Sequence, residues 1–118
     1  MPLTKPWRSP GPTMARDLPG NLGVYELGDA AGEVLFIGYA GGRSLFGLRG
    51  AIGGHFADDE PNPVIRERAT AYRYEVNQMY LTRWKELLMR YQAAHGRLPE
   101  GNHAPGAELP RLGQLSPI

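Results

Sequence analysis

The 118 residues carry 13 Lys and Arg against 12 Asp and Glu, a formal charge of +1. This balance excludes a global basic footprint of the kind that grips long nucleic-acid duplexes, so any nucleic-acid role needs a local patch. The absence of Cys excludes a disulfide scaffold, thiolate catalysis and cysteine-based zinc sites. No run is apolar enough to span a bilayer and the N-terminal stretch lacks a signal-peptide core, so the expectation is one small cytoplasmic domain with no membrane partner.

In chain order, residues 1–21 are rich in Pro and Gly, have no periodicity and read as an extended N-terminal arm. Trp7 is the exception there, since a free tail gains nothing from a large aromatic, and it is expected to tuck into the domain or a partner. The domain proper is placed at 22–102. It opens with two short apolar runs, GVYEL (23–27) and EVLFIG (33–38), joined by GDAAG, whose Asp and Gly suit a tight hairpin connection. SLFGLRGAI (44–52) reads as a helix with Ser44 as its N-cap, weakened by Gly47 and Gly50.

GGHFADDEPNP reads as a loop, and VIRERA adds a helical turn. AYRYEVN (71–77) alternates, with Tyr72, Tyr74 and Val76 on one face and Arg73, Glu75 and Asn77 on the other, the pattern of a half-buried strand. The strongest helix is MYLTRWKELLMRYQAAHG (79–96), with Leu81, Trp84, Leu87, Leu88 and Tyr91 as its apolar stripe and Gly96 at the C-terminal left-handed position. Residues 103–118 form a tail in which Leu109, Leu112 and Leu115 either drape over the core or stay mobile. The fold class is α/β: a small, mainly antiparallel three-stranded sheet flanked by helices.

Two triplets stand out within this order: Gly23-Val24-Tyr25 on the first strand and Phe36-Ile37-Gly38 on the second. Arg49 follows on the first helix, and Pro99 and Asn102 form a P-x-x-N ending after the long helix. Together these residues resemble the GIY-YIG nuclease superfamily over Gly23 to Asn102. The resemblance implies phosphodiester hydrolysis on nucleic acid with one divalent ion, Mg²⁺ or Mn²⁺. It gives Tyr25 the role of base for water, Arg49 that of stabilising phosphate charge, and a glutamate on the later helix that of holding the metal. The chemistry requires such parts, because a phosphodiester is anionic and its hydrolysis needs a neutralising cation and a positioned proton acceptor.

Phe36 stands where the superfamily usually has Tyr; it keeps the packing and removes the hydroxyl. Tyr39 faces the other side of an ideal strand and substitutes only if the strand ends early. Glu86 is the metal candidate by sequence order, although an ideal wheel places it away from the Trp84–Leu88 face, and Glu75 on the third strand is the alternative. His55, in the loop after the first helix, is a candidate phosphate ligand or proton carrier. GYAGG offers backbone N–H groups to an anion, and Phe36, Tyr39, Arg43, Glu75 and Asn102 complete the candidate ligand contacts. Three functions stay open: a metal-dependent nuclease, a catalytically degenerate module of the same fold that binds nucleic acid or a protein, and a different enzyme acting on a small anionic ligand.

Overall fold

A computed structural model describes residues 2–104 and 107–109. The elements are α1 (Met14–Asp17), β1 (Gly23–Gly28), β2 (Val34–Ala40), α2 (Gly47–His55), α3 (Pro63–Arg68), β3 (Ala71–Val76) and α4 (Tyr80–His95), followed by a 3₁₀ turn (Glu100–His103). The architecture is α/β, with a three-stranded antiparallel sheet in the order β2-β1-β3. β1 is central, and all six of its residues are buried. The hairpin turn is set by Asp29, whose Oδ1 accepts from the N–H groups of Ala31 (2.9 Å) and Glu33 (3.0 Å), with Gly32 at φ 83°.

Strand alternation divides the core into two layers. Tyr25, Leu27, Ala40 and Tyr72 pack on one face with Leu48, Ile52 and Ile65 of α2 and α3. Val24 and Ile37 pack on the other face with Trp84, Leu87 and Leu88 of α4. The indole N–H of Trp84 donates to Ile37 O (3.0 Å), so α4 is tied to β2 by a polar contact inside the apolar layer. Gly96 ends α4 at φ 76°, its N–H bonded to Gln92 O. Leu81, expected in the buried stripe, is 44% exposed and borders a cavity at the edge of β2.

The helix expected from Ser44 starts three residues later, at Gly47. Ser44 instead closes the preceding turn, its hydroxyl accepting from Gly41 N–H (3.0 Å). The N–H groups of Leu48 and Arg49 in the first turn of α2 donate to Asn21 O (2.9 Å) and Pro19 O (3.0 Å), so the N-terminal arm caps this helix from outside. Gly47, at φ 57°, faces the Gly20 and Asn21 carbonyls so closely that a Cβ has no room. The turn expected in VIRERA is the six-residue helix α3, started by Pro63 and by Asn62, whose side chain accepts from Val64 and Ile65 N–H.

The arm is not uniformly extended. It contains α1, and Arg8 makes two backbone hydrogen bonds of 2.8 Å with Tyr72, a single antiparallel bridge on the outer edge of β3. The Trp7 ring lies against Gly28 and under the Arg73 guanidinium, 4.0 Å from its centroid. Arg73 also neutralises Glu26, buried on the central strand, at 2.7 Å. Leu109 is exposed, whereas Leu112 and Leu115 lie outside the described residues. No helix among the described residues is long and apolar enough to cross a membrane.

Candidate functional site

Cross-strand register explains the two triplets. Tyr25 pairs with Gly38, and the phenol ring lies across the glycine: a Cβ there would sit 2.5 Å from both Tyr25 Cζ and its hydroxyl oxygen. The ring so placed aims its hydroxyl at the C-terminal end of α2, where it meets His55 Nε2 at 2.7 Å. His55 Nδ1 in turn contacts Glu60 Oε1. Glu60 is only 6% exposed; its second oxygen accepts from Asn62 N–H (3.0 Å), and its backbone carbonyl accepts from Arg66 (3.0 Å). The Phe36 ring closes the group, centred 5.2 Å from the imidazole and 6.1 Å from the phenol.

This is a Tyr–His–Glu chain. With the carboxylate on Nδ1, the imidazole holds its proton there and presents Nε2 as acceptor for the Tyr25 hydroxyl. Burial, followed by the nearby Glu60 charge, holds the Tyr25 pKa well above the ordinary tyrosine value. The phenol is therefore neutral at rest, and its one direct proton acceptor is His55.

Tyr25 and Phe36 also border a cavity of about 620 Å³ at the outer edge of β2, which is lined further by Tyr39, Arg43, Ser44, Tyr80 and Glu108. β2 runs to Ala40, so Tyr39 stays in register and faces away from Phe36. It stacks on Tyr80 and tilts against Trp84, with centroids at 5.6 and 4.7 Å. Its hydroxyl donates to Glu108 (2.7 Å), and that bond, aided by burial, pushes its pKa up to about 12. Tyr39 thus cannot supply the hydroxyl that Phe36 lacks. Arg43 makes no hydrogen bond or ion pair among the described residues. The backbone cradle expected in GYAGG is already used: Gly41 N–H is bonded to Ser44, and Gly42 N–H to the Tyr80 hydroxyl (3.2 Å).

The other expected site residues lie elsewhere. Arg49 is exposed, its Nε donates to Leu18 O (3.0 Å), and it does not line the cavity. Glu86 is on α4, which packs on the opposite face of the sheet from Tyr25. One Glu86 oxygen accepts from Arg83 (3.0 Å) and the other from Arg90 (3.2 Å). Glu75 is held bidentately by Arg83 at 2.9 and 3.0 Å. A divalent ion at either glutamate would have to displace guanidinium groups. No set of three His, Cys, Asp or Glu side chains among the described residues converges on one point. The described residues as arranged do not fit the metal that the resemblance implies. Asn102 is buried and structural: its Oδ1 accepts from Ile37 N–H and its Nδ2 donates to Ile37 O, both at 2.9 Å, which seals part of the open edge of β2.

Glu60 was invisible to sequence reasoning because it sits in a charged loop segment, ADDEPNP, where three acids look alike. Only the return of that loop under α2 selects one of them. Neither the curated proteins nor the solved structures include a match to this chain. One family model does match, over residues 1–94, a span that includes Tyr25, Phe36, Arg43, His55 and Glu60, and the chain belongs to that family, described as a domain of unknown function (DUF7508).

Proposed function

We propose that this chain is a GIY-YIG-like domain that binds single-stranded nucleic acid along the outer edge of β2, without the superfamily's metal-dependent cleavage. The observation that carries this reading is the cavity at that edge, where Arg43, which has no ion pair among the described residues, stands with Tyr39 and Tyr80. A cation next to aromatic side chains suits a phosphate with its base, and such contacts tolerate sequence. The near-neutral net charge leaves a local and modest electrostatic contribution. Two departures argue against the family's cleavage chemistry: Phe36 in place of the second tyrosine, and a Glu86 carboxylate held by two arginines.

The test is fluorescence anisotropy with labelled single-stranded DNA and RNA of matched sequence, together with a cleavage assay in Mg²⁺ and Mn²⁺. Salt-weakened binding, a further loss in Arg43→Ala, and intact substrate are expected, with the two probes showing which sugar is preferred. Absence of binding to both probes overturns the reading. So does metal-dependent cleavage that Glu86→Gln abolishes, which would restore the nuclease.

The Tyr25–His55–Glu60 chain favours a second reading, in which hydrolysis is retained. There Tyr25 passes its proton to His55 Nε2, Glu60 stabilises the imidazolium, and the phenolate takes a proton from the attacking water. Cleavage lost in both Tyr25→Phe and His55→Ala would support it.

A further inference from the structure

The turn before α2 contains a residue that its own packing does not explain. Phe46 has φ 65° and ψ 20°, the one non-glycine residue in the left-handed region among the described residues. A side chain with a Cβ is disfavoured there, and such strain persists only where the surroundings impose it or function uses it. Burial offers no repayment, because Phe46 is 65% exposed. Gly47 follows in the same left-handed region, so two consecutive residues turn the chain and hold the ring outward at the N-terminus of α2. Leu45 beside it is also exposed.

The charge along this segment is one-sided. Residues 34–57 contain no Asp or Glu but do contain Arg43, Arg49 and His55. Arg43 and Arg49 lie three residues on either side of Phe46, and both are exposed. Arg43 lines the cavity, and among the described residues Arg49 is bonded only through its Nε, to Leu18 O, which leaves its terminal nitrogens for an anion. The acid nearest the cavity is Glu108, whose two oxygens are engaged by the Tyr39 hydroxyl. An exposed aromatic between two cations, in a segment with no acid, is complementary to an unpaired base with its two flanking phosphates. A protein partner would be served equally well by Leu45 and Phe46 but would not call for the acid-free flanks.

We infer that Phe46 is a stacking contact for one unpaired base of a single strand, with Arg43 and Arg49 on the phosphates to either side. This deepens the reading of the preceding subsection and rests on it. The strand would run from the cavity at the β2 edge across the start of α2. The left-handed turn is then the device that presents the ring, and its strain is the trace of that use.

The experiment uses the full chain and a labelled oligothymidylate, read by anisotropy beside a thermal melt. Phe46→Asn is chosen because Asn tolerates the left-handed region and cannot stack. Its affinity should fall about 5-fold or more, the range that corresponds to losing one base–aromatic stack, while its melting midpoint stays at or above that of wild type. Phe46→Trp should keep the affinity, and its indole fluorescence should be quenched on binding beyond any change in wild type. Wild-type affinity in Phe46→Asn would overturn the inference and leave the exposed ring to a protein partner. A fall in affinity matched by a lower melting midpoint would overturn it as well, by making Phe46 structural. If wild type binds no oligonucleotide, the binding reading itself fails and this inference with it; if wild type binds and Phe46→Asn binds equally, only this inference fails.

Discussion

Replacing Gly38 with alanine tests the link between the sequence triplets and the site. The new methyl would lie 2.5 Å from Tyr25 Cζ and its hydroxyl oxygen and 2.7 Å from Phe36 Cε2. Carbon atoms in contact settle near 3.5 Å, so the phenol has to move by about 1 Å. That displacement breaks the 2.7 Å bond to His55. Overpacking in a formed core costs about 1–3 kcal/mol. A buried polar group deprived of its partner costs about 1–3 kcal/mol more. Alanine recovers about 0.5–1 kcal/mol of backbone entropy relative to glycine. The expected net loss is about 1–5 kcal/mol, read as a lower midpoint in a urea titration with an unchanged slope. Because the loss arises from one pair, it should largely vanish when Tyr25 is also replaced by alanine, with a coupling energy of about 1–3 kcal/mol across the double-mutant cycle. Gly38→Ala at wild-type stability, or two additive losses, would refute the claim that the tyrosine ring requires the glycine.

Trp84→Ala should cost about 3–5 kcal/mol, because the indole is buried and its N–H is bonded to Ile37 O; Glu86→Ala should cost under about 1 kcal/mol, as part-exposed ion pairs contribute little. A denaturant series giving the reverse order would mean that the face of α4 is misassigned. The raised Tyr25 pKa also sets a sign. The stability that the buried neutral phenol contributes is fully present below the ordinary tyrosine value of about 10 and is lost as pH rises above it toward the folded value. Tyr25→Phe should therefore lose less stability than wild type between neutral and strongly alkaline pH in chemical denaturation, and parallel alkaline limbs would contradict the burial of that hydroxyl.

Local pattern settled much of the architecture. The apolar run Gly23–Leu27, the period-two alternation of Ala71–Val76 and the 3.6-residue stripe of Trp84, Leu87 and Leu88 are carried by neighbouring residues, although Val76, expected on the apolar face, is 47% exposed at the end of its strand. The same reasoning erred at the start of α2. There the carbonyls of Pro19 and Asn21, distant in the chain, cap the helix, so Ser44 is left to close a turn. It also erred at Leu81, which lies three residues before Trp84 yet borders the cavity and is not buried.

The site divides the same way. The two triplets and the hairpin that carries them were legible in the sequence, but the structure alone gave the register that sets Tyr25 opposite Gly38, with an irregularity between Leu27 and Gly28. The partners of Tyr25 were not, because His55 is 30 residues away and Glu60 is one acid among several in a loop. Nor does sequence show that Arg73 holds Glu26 or that Arg83 holds Glu75, whereas the pairing of Glu86 with Arg83 and Arg90 follows from helix spacing. Sequence by itself determined the three strands and the long helix α4, because those preferences are local; which distant charges meet was decided only by the tertiary structure, because the Tyr25–His55 and Arg73–Glu26 contacts join residues that the fold, and no periodicity, brings within 3 Å.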